Sequence, residues 1–388
     1  MACALHRRQH DGAERGARDP NQDTCNVSAS IRSDLPGSRW APMLSMPQRT
    51  SVPIGVQPSL RDKVGFLESR DAYTPRPEDV QVIETHMSWV FLTDREVYKL
   101  KKPIRYDVLD FSTPELRRRS CEREIQLNRR LAPEVYLEVV ALTAEAGGGL
   151  CLGGPGRPTD WLVKMKRLPA ERMLDGLIVG GAVRRSDVEP AAALLAAFYR
   201  SAVPADIDGA GYRRHLREGI EADREELVKP IYRLPTGDVR RVANEQLTYV
   251  HEARDKLDLR VSAGRIVEGH GDLRPEHICL SDPPAIIDCL EFSRDLRILD
   301  PLDELSFLSL ECRRLGAPEV GGWFLDAYRH ATDDESPRDL FRFYRRFRAL
   351  RRAKVAIWHL RESGVVNADK WRERAQWYIA NAAHSAEV

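Results

Sequence analysis

Residues 270–280 read HGDLRPEHICL and residues 285–288 read AIID, and the fold turns on how these two stretches are read together. ICL (278–280) and AII (285–287) are short β-rich runs joined by the turn SDPP, which predicts a hairpin with Asp272 in the loop that enters it and Asp288 at its exit. A strand rises about 3.3 Å per residue and hairpin pairing returns the chain on itself, so the two carboxylates can approach despite their separation in sequence. A carboxylate set at the end of an apolar strand is costly unless a cation or hydrogen-bond donors meet it. His270, Asp272 and His277 fall within eight positions, so a metal cluster of two histidines and an aspartate is the competing reading.

The sequence before the motif has the texture of a small sheet. VQVIETHMSWVFLTDREVYKL (80–100) alternates apolar and polar residues, with breaks at Thr85 to Ser88 and Thr93 to Arg95, and predicts three antiparallel strands, the third ending at Lys99. DFSTPELRRRSCEREIQLNRRL (110–131) predicts a helix: Ser112 or Thr113 caps it, Pro114 suits the first turn, and Leu116, Cys121, Ile125, Leu127 and Leu131 form an apolar stripe. VYLEVVALT and WLVKMKRL predict two further strands, separated by the Gly-rich turn AGGGLCLGGPG. A short helix is expected at SLRDKVGFL (59–67).

From Pro169 onward the pattern is mainly helical. In SPRDLFRFYRRFRALRRAKVAIWHLRESG (336–364), Ser336 and Asp339 make a capping box, Pro337 fits the first turn and Gly364 closes the end, with Phe343, Phe347, Leu350 and Ile357 at helical spacing. Its arginines read as a solvated face and not as an RNA surface. The expected organisation is a disordered extension over 1–56, a small antiparallel-sheet lobe with one helix over 57–167, and a larger helical lobe over 168–388. In the extension, acidic residues between the arginines argue against an organellar presequence, and a start of translation at Met43 or Met46 is a further reading.

Composition narrows the partners. A chain of 388 residues is long for one core, which favours two lobes. A formal net charge of +1 gives no global field for nucleic acid or an anionic membrane. Seven cysteines, scattered and without a CxxC, argue against a disulfide framework or a structural zinc site and for a reducing cytoplasm. No apolar run approaches the ~20 residues of a membrane helix.

Phosphoryl transfer from ATP needs an aspartate that takes or orients the acceptor proton, a second that holds Mg²⁺, and a strand lysine, fixed by a helix glutamate, that neutralises phosphate charge. Asp272, Asp288, Lys99 and Glu124 occur in the chain order those roles require. On VYKLKK (97–102), CEREIQLNRRL (121–131), HGDLRPEHICL, AIIDCLEF (285–292) and DPLDELSFL (300–308), the chain from about 82 to 354 resembles the aminoglycoside phosphotransferase family, a kinase-like group that also takes in choline and fructosamine kinases. The resemblance is nearest to a branch in which ETHMSWVFL, VYKLKKP and LDFSTPELRRR have near copies, some with a second, P-loop kinase domain. Without a GxxxxGK[ST], this chain is expected to be the single-domain form.

The resemblance implies a two-lobed α+β kinase-like fold that binds ATP with Mg²⁺ and transfers phosphate to a small-molecule hydroxyl. It implies that the THMSW turn replaces the Gly-rich loop, with Ser88 approaching the phosphates, and that Met165, in the linker MKRL, meets adenine through its backbone. Two departures stand out. His277 occupies the place of an asparagine metal ligand, and imidazole suits Mg²⁺ poorly, which shifts the metal towards Asp288 with Glu291, or towards Mn²⁺. Glu304 stands where relatives carry an aspartate in the helix that supports the catalytic loop.

Each residue also has a plainer reading. Lys99, close to Lys101 and Lys102, reads on spacing alone as a solvated strand end, and Glu124, in a charged helix beside Glu122, as a surface residue. His270 is expected to orient its loop by hydrogen bonds, and Arg274 to screen the carboxylate pair. Three functions stay open: an ATP-dependent phosphotransferase with Asp272 as base, a nucleotide-binding pseudokinase, and a metal-dependent hydrolase on His270, Asp272 and His277. Asp and Glu residues of the C-terminal helices offer a place for an amine on the acceptor. The sequence fixes neither the acceptor nor the oligomeric state.

Overall fold

The computed structural model of the chain describes residues 58–106, 109–335, 337–361 and 367–384. The expected extension over 1–56, Ser336 of the expected capping box and Gly364 lie outside them. In chain order the elements begin with α1 (Leu60–Glu68), β1 (Gln81–Glu84), β2 (Ser88–Leu92), β3 (Glu96–Lys101), β4 (Arg105–Tyr106), β5 (Leu109–Asp110), α2 (Pro114–Asn128), β6 (Tyr136–Ala144), β7 (Leu150–Leu152), β8 (Arg157–Lys166) and α3 (Leu174–Val179). Then follow α4 (Arg185–Ser201), α5 (Gly209–Leu227), α6 (Thr236–Glu252), α7 (Arg254–Ser262), β9 (Val267–Glu268), β10 (Ile278–Cys279), β11 (Ala285–Ile286) and β12 (Ile298–Leu299). Four helices close the chain: α8 (Pro301–Arg314), α9 (Pro318–Thr332), α10 (Arg338–Trp358) and α11 (Ala368–Ala383).

The chain divides into two compact units, the first up to Ala182 together with Glu276–Ser293, the second Val183–Pro275 with Arg294–Val388. The division falls after α3 and not at residue 167, because α3 and the β10–β11 hairpin are tied to each other: Arg172 donates to the Leu280 carbonyl at 2.6 Å, and Met173 bridges Cys279.

In the first unit six strands form one antiparallel sheet in the order β1-β2-β3-β8-β6-β7. The three strands expected between 80 and 100 are β1 to β3, with Lys99 opposite Val90 on one side and Val163 on the other. The Gly-rich stretch expected to be only a turn contains β7, whose Leu150 to Leu152 pair with β6. Helix α2 starts as its sequence dictates, with the Thr113 side chain accepting from the Leu116 amide and Pro114 in the first turn. One apolar cluster joins α2 to the sheet through Cys121, Ile125, Val163 and Met165, and Cys279 and Ala285 of the hairpin belong to it. On the opposite sheet face α1 packs through Val64 and Leu67, anchored by Lys63, which bonds Asp160 at 2.7 Å. Arg117 of α2 grips the same Asp160 at 2.7 and 2.8 Å, so this buried carboxylate meets two cations.

The second unit is helical apart from the short β9–β12 pair. Helix α4 packs on α9, and α10 packs on both α8 and α11. Buried ion pairs fix the packing. Asp300 caps α8 by accepting from the Leu302 amide and holds Arg260 through two bonds of 2.7 Å, while Asp303 holds Arg348 of α10 at 2.7 and 2.6 Å.

Candidate active site

Strand β3, helix α2 and the exit of the β10–β11 hairpin bring five charged groups together in the first unit. Lys99 Nζ lies 2.9 Å from Glu124 Oε1 and 2.8 Å from Asp288 Oδ1. Lys101 Nζ lies 2.5 Å from Glu124 Oε2 and 2.6 Å from Glu291 Oε1. The groups form an unbroken chain, Asp288, Lys99, Glu124, Lys101, Glu291, in which each cation sits between two carboxylates. Glu124 is fully buried, so it is not the surface residue its charged helix suggests. Its burial raises the carboxyl pKa, but Lys101 and then Lys99 outweigh this and hold it below its ordinary range. Asp288 is held lower still, because Lys99 outweighs burial. Burial disfavours the Lys99 charge, yet Asp288 and Glu124 raise its pKa well above normal.

The backbone that carries Asp288 is pinned from α2 and β6. The Asp288 amide donates to the Tyr136 hydroxyl at 3.0 Å, and the Cys289 amide donates to Asn128 Oδ1 at 2.8 Å. Asn128 Nδ2 in turn donates to the Glu124 carbonyl at 2.8 Å. Asp288 itself has φ 62°, a left-handed conformation that short polar side chains tolerate best and that costs roughly 1–3 kcal/mol where the surroundings impose it. The buried imidazole of His277 points Nε2 at Asp288 Oδ2 from 3.5 Å. The carboxylates of Asp288 and Glu291 are hard oxygen donors that suit a divalent cation. Among the described residues no group of three or more His, Cys, Asp or Glu is arranged to hold a metal by itself.

Ser88 opens β2, buried, with its amide donating to Thr85 Oγ1 at 2.9 Å and its carbonyl accepting from the Thr85 amide at 2.8 Å, which closes the THMS turn. Met165 lies within β8, flanked by Val97 and Tyr136, and the next two amides, of Lys166 and Arg167, donate to the carbonyls of Val135 and Arg95.

In the second unit Asp272 lies in a tightly braced loop and is 8% exposed. Arg274 Nε stands 3.2 Å from its Oδ2. The Asp272 amide donates to Nδ1 of the fully buried His270 at 3.3 Å, the orienting role expected of that histidine. Beneath the loop, Glu304 accepts from the His270 amide at 3.0 Å, from the Gly271 amide and from the Tyr199 hydroxyl at 2.6 Å. Gly269 leaves room for this: a Cβ there would lie 2.6 Å from Glu304 Oε2 and 2.8 Å from Leu299 Cδ1.

The sequence reading placed Lys99, Glu124, Asp288, His277 and Glu291 in one site, and the structure brings all five together. It missed Lys101, Asn128, Tyr136 and Tyr199. Lys101 had a signal, since residues two apart in a strand share a face and Lys101 follows Lys99 at that interval. Tyr136, Asn128 and Tyr199 had none, because nothing local tells a core tyrosine or a helix-end asparagine from one that holds a distant loop.

These geometries define the chain as a two-lobed, kinase-like α+β protein, with the fold seen in a choline kinase. A choline kinase from Cryptosporidium parvum Iowa II shares the fold at a TM-score of 0.51, with 11% identity over 82% of this chain and 94% of that one. A GDP complex of aminoglycoside 2'-phosphotransferase-IIIa matches at a TM-score of 0.45, with 15% identity over 79% of this chain and 93% of that one. In sequence, an uncharacterised protein of Mycobacterium tuberculosis (strain H37Rv) is 33% identical over 283 residues, covering 71% of this chain and 54% of that protein, and a Mycobacterium bovis protein matches equally. The chain spans about half the length of these curated relatives. No family model matches it.

Proposed function

We infer that the chain is an ATP-dependent phosphotransferase that moves the γ-phosphate to a hydroxyl of a small molecule. The observation that carries this reading is the Lys99–Glu124–Asp288 triangle, in which a strand lysine is held between a buried helix carboxylate and the aspartate at a hairpin exit. Such a lysine serves to neutralise phosphate charge. Ser88 would approach the phosphates and the linker that follows Met165 would meet adenine. Asp288 would hold Mg²⁺ or Mn²⁺, aided by His277 or Glu291, and the cation would neutralise charge on the β- and γ-phosphates.

Asp272 takes the proton of the acceptor hydroxyl as its oxygen bonds to the γ-phosphorus, while the bond from that phosphorus to the bridging oxygen breaks and ADP leaves with the electron pair. Arg274, 3.2 Å from the carboxylate, orients it. Glu304 holds the amides of residues 270 and 271 and thereby the loop geometry. Asp272→Ala is expected to lower turnover at least ~10²-fold while ATP binding survives. Unchanged turnover in that variant would refute the assignment.

One observation favours a second reading, a pseudokinase that binds nucleotide without transfer. The imidazole of His277, 1% exposed and 3.5 Å from Asp288, stands where relatives carry an asparagine ligand. Clear nucleotide binding by thermal shift, with no ATP consumed in Mg²⁺ or Mn²⁺ over a broad panel of acceptors, would select it. The metal-dependent hydrolase has less support, because His270 Nδ1 is engaged by the Asp272 amide and the described residues hold no three-ligand cluster.

A further inference from the structure

The second strand lysine has no task in the reading above, yet it is the more deeply buried of the two. Lys101 is 1% exposed, its ammonium sits 5.0 Å from the centre of the Phe111 ring, and it bonds both Glu124 and Glu291. The Lys99 side chain keeps 14% exposure. The five-group chain is therefore asymmetric: a fixed cation at one end of Glu124 and a more accessible one at the other. Glu124 is what permits movement. It is bonded by both lysines, through different oxygens, and keeps Lys101 when Lys99 turns away.

We propose that Lys101 is a positioning residue, the fixed counter-ion of Glu124 and Glu291, which frees Lys99 to leave Asp288 for nucleotide phosphate, so that Asp288 is uncovered for a divalent cation only when nucleotide binds. This inference rests on the phosphotransferase reading of the site and adds an order of events to it. Asp288 Oδ1 bonds Lys99 at 2.8 Å, and an incoming cation must compete with that ammonium. Phosphate oxygens draw Lys99 away, and the cation then finds both the released carboxylate and the phosphates. Metal and nucleotide affinities are coupled by one factor in both directions, as linkage requires. Glu291, tied to Lys101 at 2.6 Å, serves in this scheme as an anchor of that lysine and not as a metal ligand.

The test measures Mn²⁺ binding by electron paramagnetic resonance, with and without ADP, and ADP binding by calorimetry, on the full chain and on Lys99→Met, Lys101→Met and Glu291→Gln, each with a melting curve as control for folding. Lys99→Met is expected to bind Mn²⁺ without nucleotide roughly tenfold more tightly than the wild type, since the Lys99 ammonium no longer competes for Asp288. Lys101→Met is expected to bind ADP roughly tenfold more weakly although Lys99 is intact, because Glu124 then retains Lys99 as its last cation. Glu291→Gln is expected to tighten ADP binding by about two- to fivefold, as Lys101 turns wholly to Glu124 and loosens its hold on Lys99. The proposal is overturned by an unchanged or weaker Mn²⁺ affinity in Lys99→Met, by wild-type ADP affinity in a folded Lys101→Met, or by a tenfold loss of Mn²⁺ from the ADP complex of Glu291→Gln. If Lys101→Met does not fold, the other two variants decide. A wild type that binds no nucleotide sinks the phosphotransferase reading itself, whereas nucleotide binding with unaltered Mn²⁺ affinity in Lys99→Met sinks the coupling alone.

Discussion

Glu124→Gln is the most exacting perturbation of the charge chain, because it removes one charge and almost no volume from a fully buried position. The carboxylate accepts from two ammonium groups at 2.9 and 2.5 Å, and glutamine would offer one carbonyl to one lysine while turning an NH₂ donor on the other. Removing one partner of a buried pair commonly costs 3–5 kcal/mol. Lys99 keeps Asp288 and Lys101 keeps Glu291, so the cost here falls at the lower end, about 3 kcal/mol. For a folding unit of this size that is a fall of about 6–12 °C in melting temperature, readable by calorimetry, with the free energy read by urea titration. The pH dependence separates the charge from the shape. Burial raises the Glu124 pKa, but Lys101 and Lys99 together depress it below its ordinary 4.5, so its contribution is fully present above that value and is lost as pH falls through the folded-state pKa. The gap between wild type and Glu124→Gln should therefore be full at neutral pH and shrink below about pH 4, as the wild-type carboxyl becomes the neutral group that the glutamine imitates. A gap under about 1 kcal/mol at pH 7, or one that stays constant down to about pH 3, would refute the argument.

Other brackets of the two units give smaller or more local effects. Glu304→Asp draws the carboxylate back by about 1.5 Å, too far to serve the amides of His270 and Gly271 and the Tyr199 hydroxyl together; a loss of about 1–3 kcal/mol in urea denaturation and a fall in turnover are expected, and wild-type values in both would show the loop to be braced elsewhere. Tyr136→Phe takes the acceptor from the Asp288 amide and should lower stability by about 1–2 kcal/mol and weaken Mn²⁺–ADP binding, checked by calorimetry. Arg348→Ala leaves Asp303 buried and alone and should cost about 3–5 kcal/mol by urea titration, part of which Asp303→Ala in the same chain restores.

The fold was legible where local pattern and long-range pairing agree. Alternation between Val80 and Leu100 placed β1 to β3, and Thr113 with Pro114 placed the start of α2, because strand faces and helix caps are written in neighbouring residues. The strand β7 was hidden in AGGGLCLGGPG, since its three residues are held by pairing with β6 and glycine composition points the other way. The attachment of α3 to the first unit was equally hidden, resting on bonds in both directions between Arg172 and Leu280 and on the bridge from Met173 to Cys279, residues more than a hundred positions apart.

The two departures from the family pattern, at Glu304 and His277, looked alike as letters and differ as chemistry. At 304 the longer side chain is accommodated: Gly269 withholds the side chain that would collide with the carboxylate, and Tyr199 donates its hydroxyl to the oxygen that also accepts from the His270 amide, so loop support comes from partners that only the fold assembles. At 277 an imidazole stands beside Asp288, and no shape compensation turns a nitrogen into the hard oxygen donor that Mg²⁺ prefers. Under the proposed phosphotransfer, the metal would therefore rest on Asp288, water and the phosphates themselves. A metal held mainly by its own nucleotide is the regime in which a lysine covering Asp288 until the phosphates arrive has the largest effect.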